Sequence, residues 1–240
     1  MRPATPLMRL CPKCRAPFRE ARISSFNTIG LERYTDGKVS GPYVQDFHRL
    51  CVCPECSLPV WLEDAVKLGE FRGYSTCPIP AFLLRDCPRP VQSDDVTGEG
   101  YHPDPEWEAT KYCRDPALGD YLSALEEKGI AREREIYLRI ELFWLANDRA
   151  RLGRTELELP QEARANIYAL FNLLDDADEH ERLLKAEAAR ELGQFELAVT
   201  LLTFPFRDRD LECDASVITE LARQKTALVK RFPIGSHTHG

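Results

Sequence analysis

The chain has no long hydrophobic run. Apolar residues nowhere approach the ~20 in succession that a membrane-spanning helix needs, so no span is predicted. The first residues, MRPATPLMRLC, also lack the apolar stretch of a secretory signal. The Leu10-Cys11 step invites a lipoprotein-cleavage reading, which Arg9 and the missing apolar stretch oppose. The expectation is a cytoplasmic protein with no membrane partner. Several enzyme signatures are absent as well: no nucleophile elbow, Walker loop, dinucleotide-binding glycine motif or HExxH helix occurs. Their absence turns the reading from an enzyme toward a binding protein. Finally, no segment carries a basic stripe. Residues 1–70 hold ten Lys/Arg against eight Asp/Glu, residues 71–120 five against nine, and residues 121–240 17 against 22. Phosphate-binding surfaces need concentrated positive charge, so nucleic acid is the secondary reading of the partner.

Against those absences stand two short cysteine turns, Cys11-Pro12-Lys13-Cys14 and Cys53-Pro54-Glu55-Cys56, with 38 residues between Cys14 and Cys53. Each CxxC turn aims two thiolates at one point, and two turns complete a tetrahedral four-sulfur site. Zinc is the expected ion, and iron in a rubredoxin-type site is the alternative, since tetrahedral sulfur suits both. The glycine common after each rubredoxin knuckle is replaced here by Arg15 and Ser57, which favours zinc. Four sulfurs leave no open coordination position, so the site should be structural. Cys51 competes with Cys53 through a CxC spacing, but CPEC repeats the CPKC pattern and Cys53 is preferred. The other five of the nine cysteines, Cys51, Cys77, Cys87, Cys113 and Cys213, share no spacing and read as buried structural thiols.

With 240 residues, 43% of them hydrophobic and 30% charged, the chain is long enough for one large globular domain or two modest ones. The texture predicts an α+β protein in three parts. Residues 1–66 read as a small β zinc ribbon, with a strand over Arg22–Ile29, a tight turn at Thr35-Asp36-Gly37-Lys38 and a strand over Phe47–Val52. Residues 67–115 form a Pro-rich irregular connector, because prolines at that density exclude long helices and central strands. Residues 116–240 read as a helical domain. One helix carries Leu118, Tyr121, Leu122 and Leu125 and stops by Gly129. The longest runs from Ala131 to Leu152, with Ile136, Ile140, Phe143, Trp144 and Leu145 on its apolar face. Pro160 opens another, Asp178 caps the next, and Asp214 or Ser216 begins the last.

Ala186-Glu-Ala-Ala-Arg-Glu-Leu-Gly-Gln-Phe-Glu-Leu-Ala198 resembles the first helix and turn of a tetratricopeptide (TPR) unit, with an echo at Leu152-Gly153. The whole plan resembles uncharacterised bacterial proteins in which a CPxC…CPxC zinc ribbon precedes a TPR-like domain. The residues that carry this are the two knuckles, Tyr34-Thr-Asp-Gly37, Trp61-Leu-Glu-Asp-Ala65 and Leu138 to Asp148. That resemblance implies a fold and no activity.

Other chemistry-bearing residues have plainer readings. His48 reads as a strand side chain rather than a ligand. His102, Asp104 and Glu106 read as a solvated loop rather than a hydrolytic metal site. The run from Asp175 to His180 reads as helix-start acids, and His237 and His239 as a frayed tail. The expected function is a non-enzymatic protein-interaction or adaptor module. Trp61, Trp107 and Trp144 are its candidate anchors, with core packing the plainer reading of Trp144. In the alternative, a nucleic-acid-binding ribbon would contact phosphates through Arg9, Lys13, Arg15, Arg19 and Arg22.

Overall fold

A computed structural model describes residues 2–25, 27–42, 44, 48–71, 105–153 and 159–233. In chain order the elements are β1 (Arg2–Leu10), β2 (Pro17–Ser25), β3 (Glu32–Arg33), β4 (Val39–Ser40), β5 (Leu50–Val52), β6 (Pro59–Trp61), β7 (Val66–Glu70), α1 (Pro105–Glu108), α2 (Leu118–Leu125), α3 (Arg132–Arg151), α4 (Gln161–Leu173), α5 (Glu179–Glu191), α6 (Phe195–Leu201) and α7 (Arg209–Arg223). This is the expected α+β class. The chain forms two compact units, Met1–Asn27 with Gln45–Pro116, and Thr28–Val44 with Ala117–Gly240.

In the first unit β2, β1 and β7 make an antiparallel sheet in that order, and β5 pairs with β6. The expected strand over Arg22–Ile29 is displaced: β2 begins at Pro17 and ends at Ser25. A segment late in this unit adds single backbone bridges, Tyr112 beside Arg19 and Arg114 beside Val52. One apolar cluster of this unit joins Phe18, Val60 and Ala65 to the buried thiols of Cys11, Cys51 and Cys53, and Leu7, Met8, Leu50, Val52, Trp61 and Phe71 are buried as well. Residues 67–70 of the expected connector continue the sheet as part of β7, and α1 follows in the same unit. Residues 72–104, with Cys77, Cys87, His102 and Asp104, lie outside the described residues, as do His237 and His239.

The second unit is built from six helices, α2 to α7, and the β3–β4 hairpin. Neighbouring helices pack in sequence from α2 to α7, and α7 returns against α5. Phe143 of α3, Ile167 and Leu170 of α4, Leu174 just after α4 and Ala188 of α5 make one apolar cluster, and Ala189, Ala198 and Ala222 another. The alanines let α5, α6 and α7 approach closely, since no larger side chain separates their backbones. The α5–α6 turn is closed by Gly193 at φ +81°. There Gly193 N–H donates to Arg190 O and Gln194 N–H to Ala189 O, a Schellman arrangement that glycine enters without Cβ strain. Asp178 caps α5 as expected, accepting from Glu181 N–H. The last helix starts earlier than its apolar pattern suggested. Asp208 caps it, and Asp214 is instead a buried residue within α7.

The turn at residues 35–38 is present, with Gly37 at φ +83° and Tyr34 N–H donating to Lys38 O. Its placement differs from the expectation. The hairpin packs with the helices of the second unit and supplies nothing to the first unit's sheet. Two strands of two residues each cannot hold themselves together in water, so the hairpin depends on what it is seated against.

Candidate metal centre

Both knuckles are the loops of β-hairpins. Leu10 pairs with Pro17 across the first, and Val52 pairs with Pro59 across the second. The backbone repeats bond for bond. Cys11 N–H donates to Ala16 O and Arg15 N–H to Cys11 O; Cys53 N–H donates to Leu58 O and Ser57 N–H to Cys53 O. The sequence carried more of this echo than the CPxC core, because a proline closes each turn at Pro17 and Pro59.

The two loops bring Cys11, Cys14, Cys53 and Cys56 together, with all four sulfurs within 4.8 Å of one another. Cys11 Sγ lies 4.0 Å from Cys56 Sγ, and Cys14 Sγ lies 3.7 Å from Cys53 Sγ. A tetrahedron with metal–sulfur bonds of ~2.3 Å has sulfur–sulfur edges of about 3.8 Å. Four thiols at these spacings therefore fit one tetrahedral ion, with each knuckle contributing two corners. The donor set suits zinc or iron, and the geometry does not choose between them.

Arg15 and Ser57 take φ +64° and +57°. These are the left-handed positions that glycine would fill without strain, so each non-glycine residue is held there by its loop at some energetic cost. Replacing glycine has thus not changed the knuckle backbone, and that sequence argument for zinc loses its conformational basis.

The thiols sit in unequal surroundings. Cys11 and Cys53 are buried, Cys56 is half-buried and Cys14 is exposed. The backbone N–H of Ala16 holds the Cys14 thiol below its ordinary range. Burial pushes Cys53 up to about 12, against opposing backbone hydrogen bonds from Cys56 and Glu55. Burial also raises Cys56, opposed by the N–H of Leu58. Peptide N–H groups aimed at sulfur orient the thiolates and offset part of the charge that four of them would bring to one ion. A metal would displace protons from these thiols, so its binding should weaken as pH falls.

Cys51 belongs to the core beneath the site and stands outside the four-sulfur cluster. Its thiol is raised chiefly by a hydrogen bond with Cys113, then by burial. Spacing gave no warning of that pairing, since 61 residues separate the two cysteines. Among the described residues no other group of His, Cys, Asp or Glu forms such a cluster, and His48 lies half-buried outside it.

The five cations of the nucleic-acid reading divide. Arg9 is used internally, paired with Glu20 and donating to Leu62 O and Ala65 O. Arg19 is buried over the Phe71 ring, 3.9 Å from its centroid, and donates to Trp107 O and Glu108 O at the end of α1. Lys13, Arg15 and Arg22 are exposed, with Arg22 3.8 Å from Glu70. The tryptophans also turn inward. Trp61 is buried, Trp107 is half-buried with its ring beside Gly69, and Trp144 donates from Nε1 to Asp36 O. The acids at residues 175–181 do the work of a helix start: Asp178 caps α5, Asp176 pairs with Lys185, and Glu181 pairs with Arg132.

No protein-family model, curated protein or solved structure matches this chain. No described helix is long and apolar enough to cross a membrane.

Proposed function

We propose that the protein is a non-enzymatic adaptor: a β unit clasped by a structural zinc ion, joined to a TPR-like helical unit that docks another protein. The observation that carries this reading is the closed sulfur cluster, whose four thiols leave an ion no place for substrate or water. With Trp61 buried and Trp144 engaged within its own unit, the docking surface falls to exposed apolar side chains instead. Leu118 and Leu122 lie one turn apart on α2 and are 56% and 47% exposed, while their helix buries Tyr121 and Ala124 on the other side. An apolar pair left in water on a helix that has a buried face of its own is a reasonable protein contact. Nucleic-acid binding keeps only Lys13, Arg15 and Arg22 of its five cations, on a chain of net charge −7.

The test is affinity capture from the source cell with the wild-type chain and a Leu118→Glu/Leu122→Glu variant. A protein recovered in stoichiometric amount with the wild type, and lost from a variant of unchanged circular dichroism, supports the adaptor. Recovery of no such protein, or equal recovery by both chains, overturns it.

A further inference from the structure

The face shared by α3, α5 and α7 has the character of an occupied binding site. Asp36, at the tip of the β3–β4 hairpin, is fully buried. Its carboxylate accepts from Asn147 Nδ2 at 2.9 Å and from the Arg151 guanidinium, and its backbone oxygen accepts from Trp144 Nε1 at 2.9 Å. Around this aspartate the rest of the turn is held one residue at a time. Arg151 covers the Tyr34 ring at 5.0 Å, Arg190 donates to Thr35 Oγ1 at 3.4 Å, and Lys38 Nζ meets Asp148 at 3.0 Å. Arg33 reaches Asp214 of α7 at 2.5 Å. The last described stretch adds a backbone clasp, Thr35 N–H to Lys230 O and Phe232 N–H to Arg33 O.

These links are mostly polar, whereas the helices are joined by apolar packing. The clusters around Phe143 and Ala189 contain no residue of 28–44. Removing the hairpin would therefore leave those two clusters intact. We propose that residues 32–38 are an internal ligand of the helical unit: the face of α3, α5 and α7 is a site for an aspartate carried on a tight turn, filled by the chain's own Asp36 as a latch that opens without unfolding the helices.

The charge balance of the seat makes such a latch releasable. Three buried carboxylates, Asp36, Glu187 and Glu191, meet two buried guanidiniums, Arg151 and Arg190, while a fourth, Asp214, pairs with Arg33 of the hairpin. Lys38 and Asp148 pair off at the rim. With one more buried carboxyl than guanidinium, one acid has no guanidinium of its own, which weakens the hold on whichever acid can leave. Glu187, Glu191 and Arg190 are fixed on α5, and Asn147 and Arg151 on α3, so the acid able to leave is Asp36 on the hairpin. The α4 and α6 helices meet α5 through the apolar residues Ile167, Leu170, Ala198 and Val199, which add no charge to this seat.

Native-state hydrogen exchange on the full-length wild-type protein, in urea below the unfolding transition, tests the latch directly. The amides of Tyr34, Gly37 and Lys38 should exchange at least about 100-fold faster than the last-turn amides of α5, through an opening that urea barely accelerates. Exchange of the hairpin and α5 together, in one global opening, overturns the proposal. A second arm adds a fluorescein-labelled peptide copying residues 30–42 to full-length Asp36→Asn. It should bind at least about ten-fold more tightly to the variant than to the wild type, whose own hairpin occupies the site. A labelled peptide carrying the same Asp36→Asn change should bind neither chain. Binding that ignores the aspartate, or equal binding of the original peptide to both chains, overturns the proposal. The exchange arm needs no substitution and decides alone where the variant is insoluble.

Discussion

Two small hairpins in this protein face one physical problem and meet it with opposite chemistry. The β5–β6 hairpin has three residues per strand and the β3–β4 hairpin two, and neither length is stable by itself. The first carries its solution in its own loop. Cys53 and Cys56 face Cys11 and Cys14 of a second knuckle, so one ion would bind two hairpins from a single point. The second carries a carboxylate in its loop and borrows guanidiniums and an amide from helices formed more than 100 residues later. Thiols give up their protons as the metal binds, so the sulfur clasp is inert without its ion. Charged side chains carry their desolvation cost at all times and must be matched by partners. The lesson is that a knuckle is a local device, legible by spacing, while an ionic latch is a tertiary one.

The largest effect should come from removing the sulfur clasp. Cys53→Ala, or chelation of the ion, should unfold the β unit, because a structural ion contributes about 10 kcal/mol or more, comparable to the whole net stability of a small domain. Metal content by mass spectrometry should fall from one ion per chain to none, with loss of near-ultraviolet signal from Trp61. Full retention of that signal without metal would mean that the core, and not the ion, holds the unit.

Next in size is the ionic side of the comparison. Arg190 is wholly buried, bonds to Glu187 at 2.5 Å and lies 3.9 Å from Glu191. Arg190→Ala strands Glu187, leaves Glu191 only its hydrogen bond from Asn147, and should cost the helical unit about 3–5 kcal/mol in urea denaturation. The half-exposed pair Arg49–Glu63, at 3.0 Å, is the control: Arg49→Ala should cost less than about 1 kcal/mol. Equal losses would show that burial does not set the worth of these pairs.

The finest test is pH. Burial holds Glu191 well above the usual carboxylate range, with repulsion from Glu187 adding to it and Arg190 opposing. Burial also raises Asp36, against the pull of Arg151. A carboxyl raised in the folded state keeps a proton that the unfolded chain has released. The stability this supplies is complete below the ordinary carboxylate pKa and is lost as pH rises through the folded value. The urea midpoint of the helical unit should therefore fall as pH rises above the ordinary carboxylate range, and Glu191→Gln should reduce that slope. The β unit has the opposite sign, since protons compete with the ion for its thiols. A helical midpoint that rises with pH would break the contrast.

Much of this was legible in the chain itself, and the division follows range. The knuckles, the Asp-Gly turn, the Asp178 cap and the helix openings at Ala131 and Pro160 depend on residues within a few positions of one another, so spacing and residue type reveal them. The hairpin's address was not legible. Its turn looks the same whether it joins a sheet or a helical face, and its partners lie 108 to 199 positions away. Arg9 and Arg19 misled for a related reason, because a long cationic side chain reads as surface until the carbonyls and rings that bury it are in place. The start of α7 was missed because Asp214 resembles a cap in sequence, whereas its carboxylate is spent on Arg33.

By itself, then, the sequence determined the four thiols, their pairing into two turns, the α+β class and most helix limits, because local geometry and spacing decide these. Only the tertiary structure decided that the hairpin belongs to the helices, that Asp36 is its anchor, and that two of the five candidate phosphate-binding cations are structural. Buried charges take their meaning from partners far along the chain, and those partners exist only once the chain has folded.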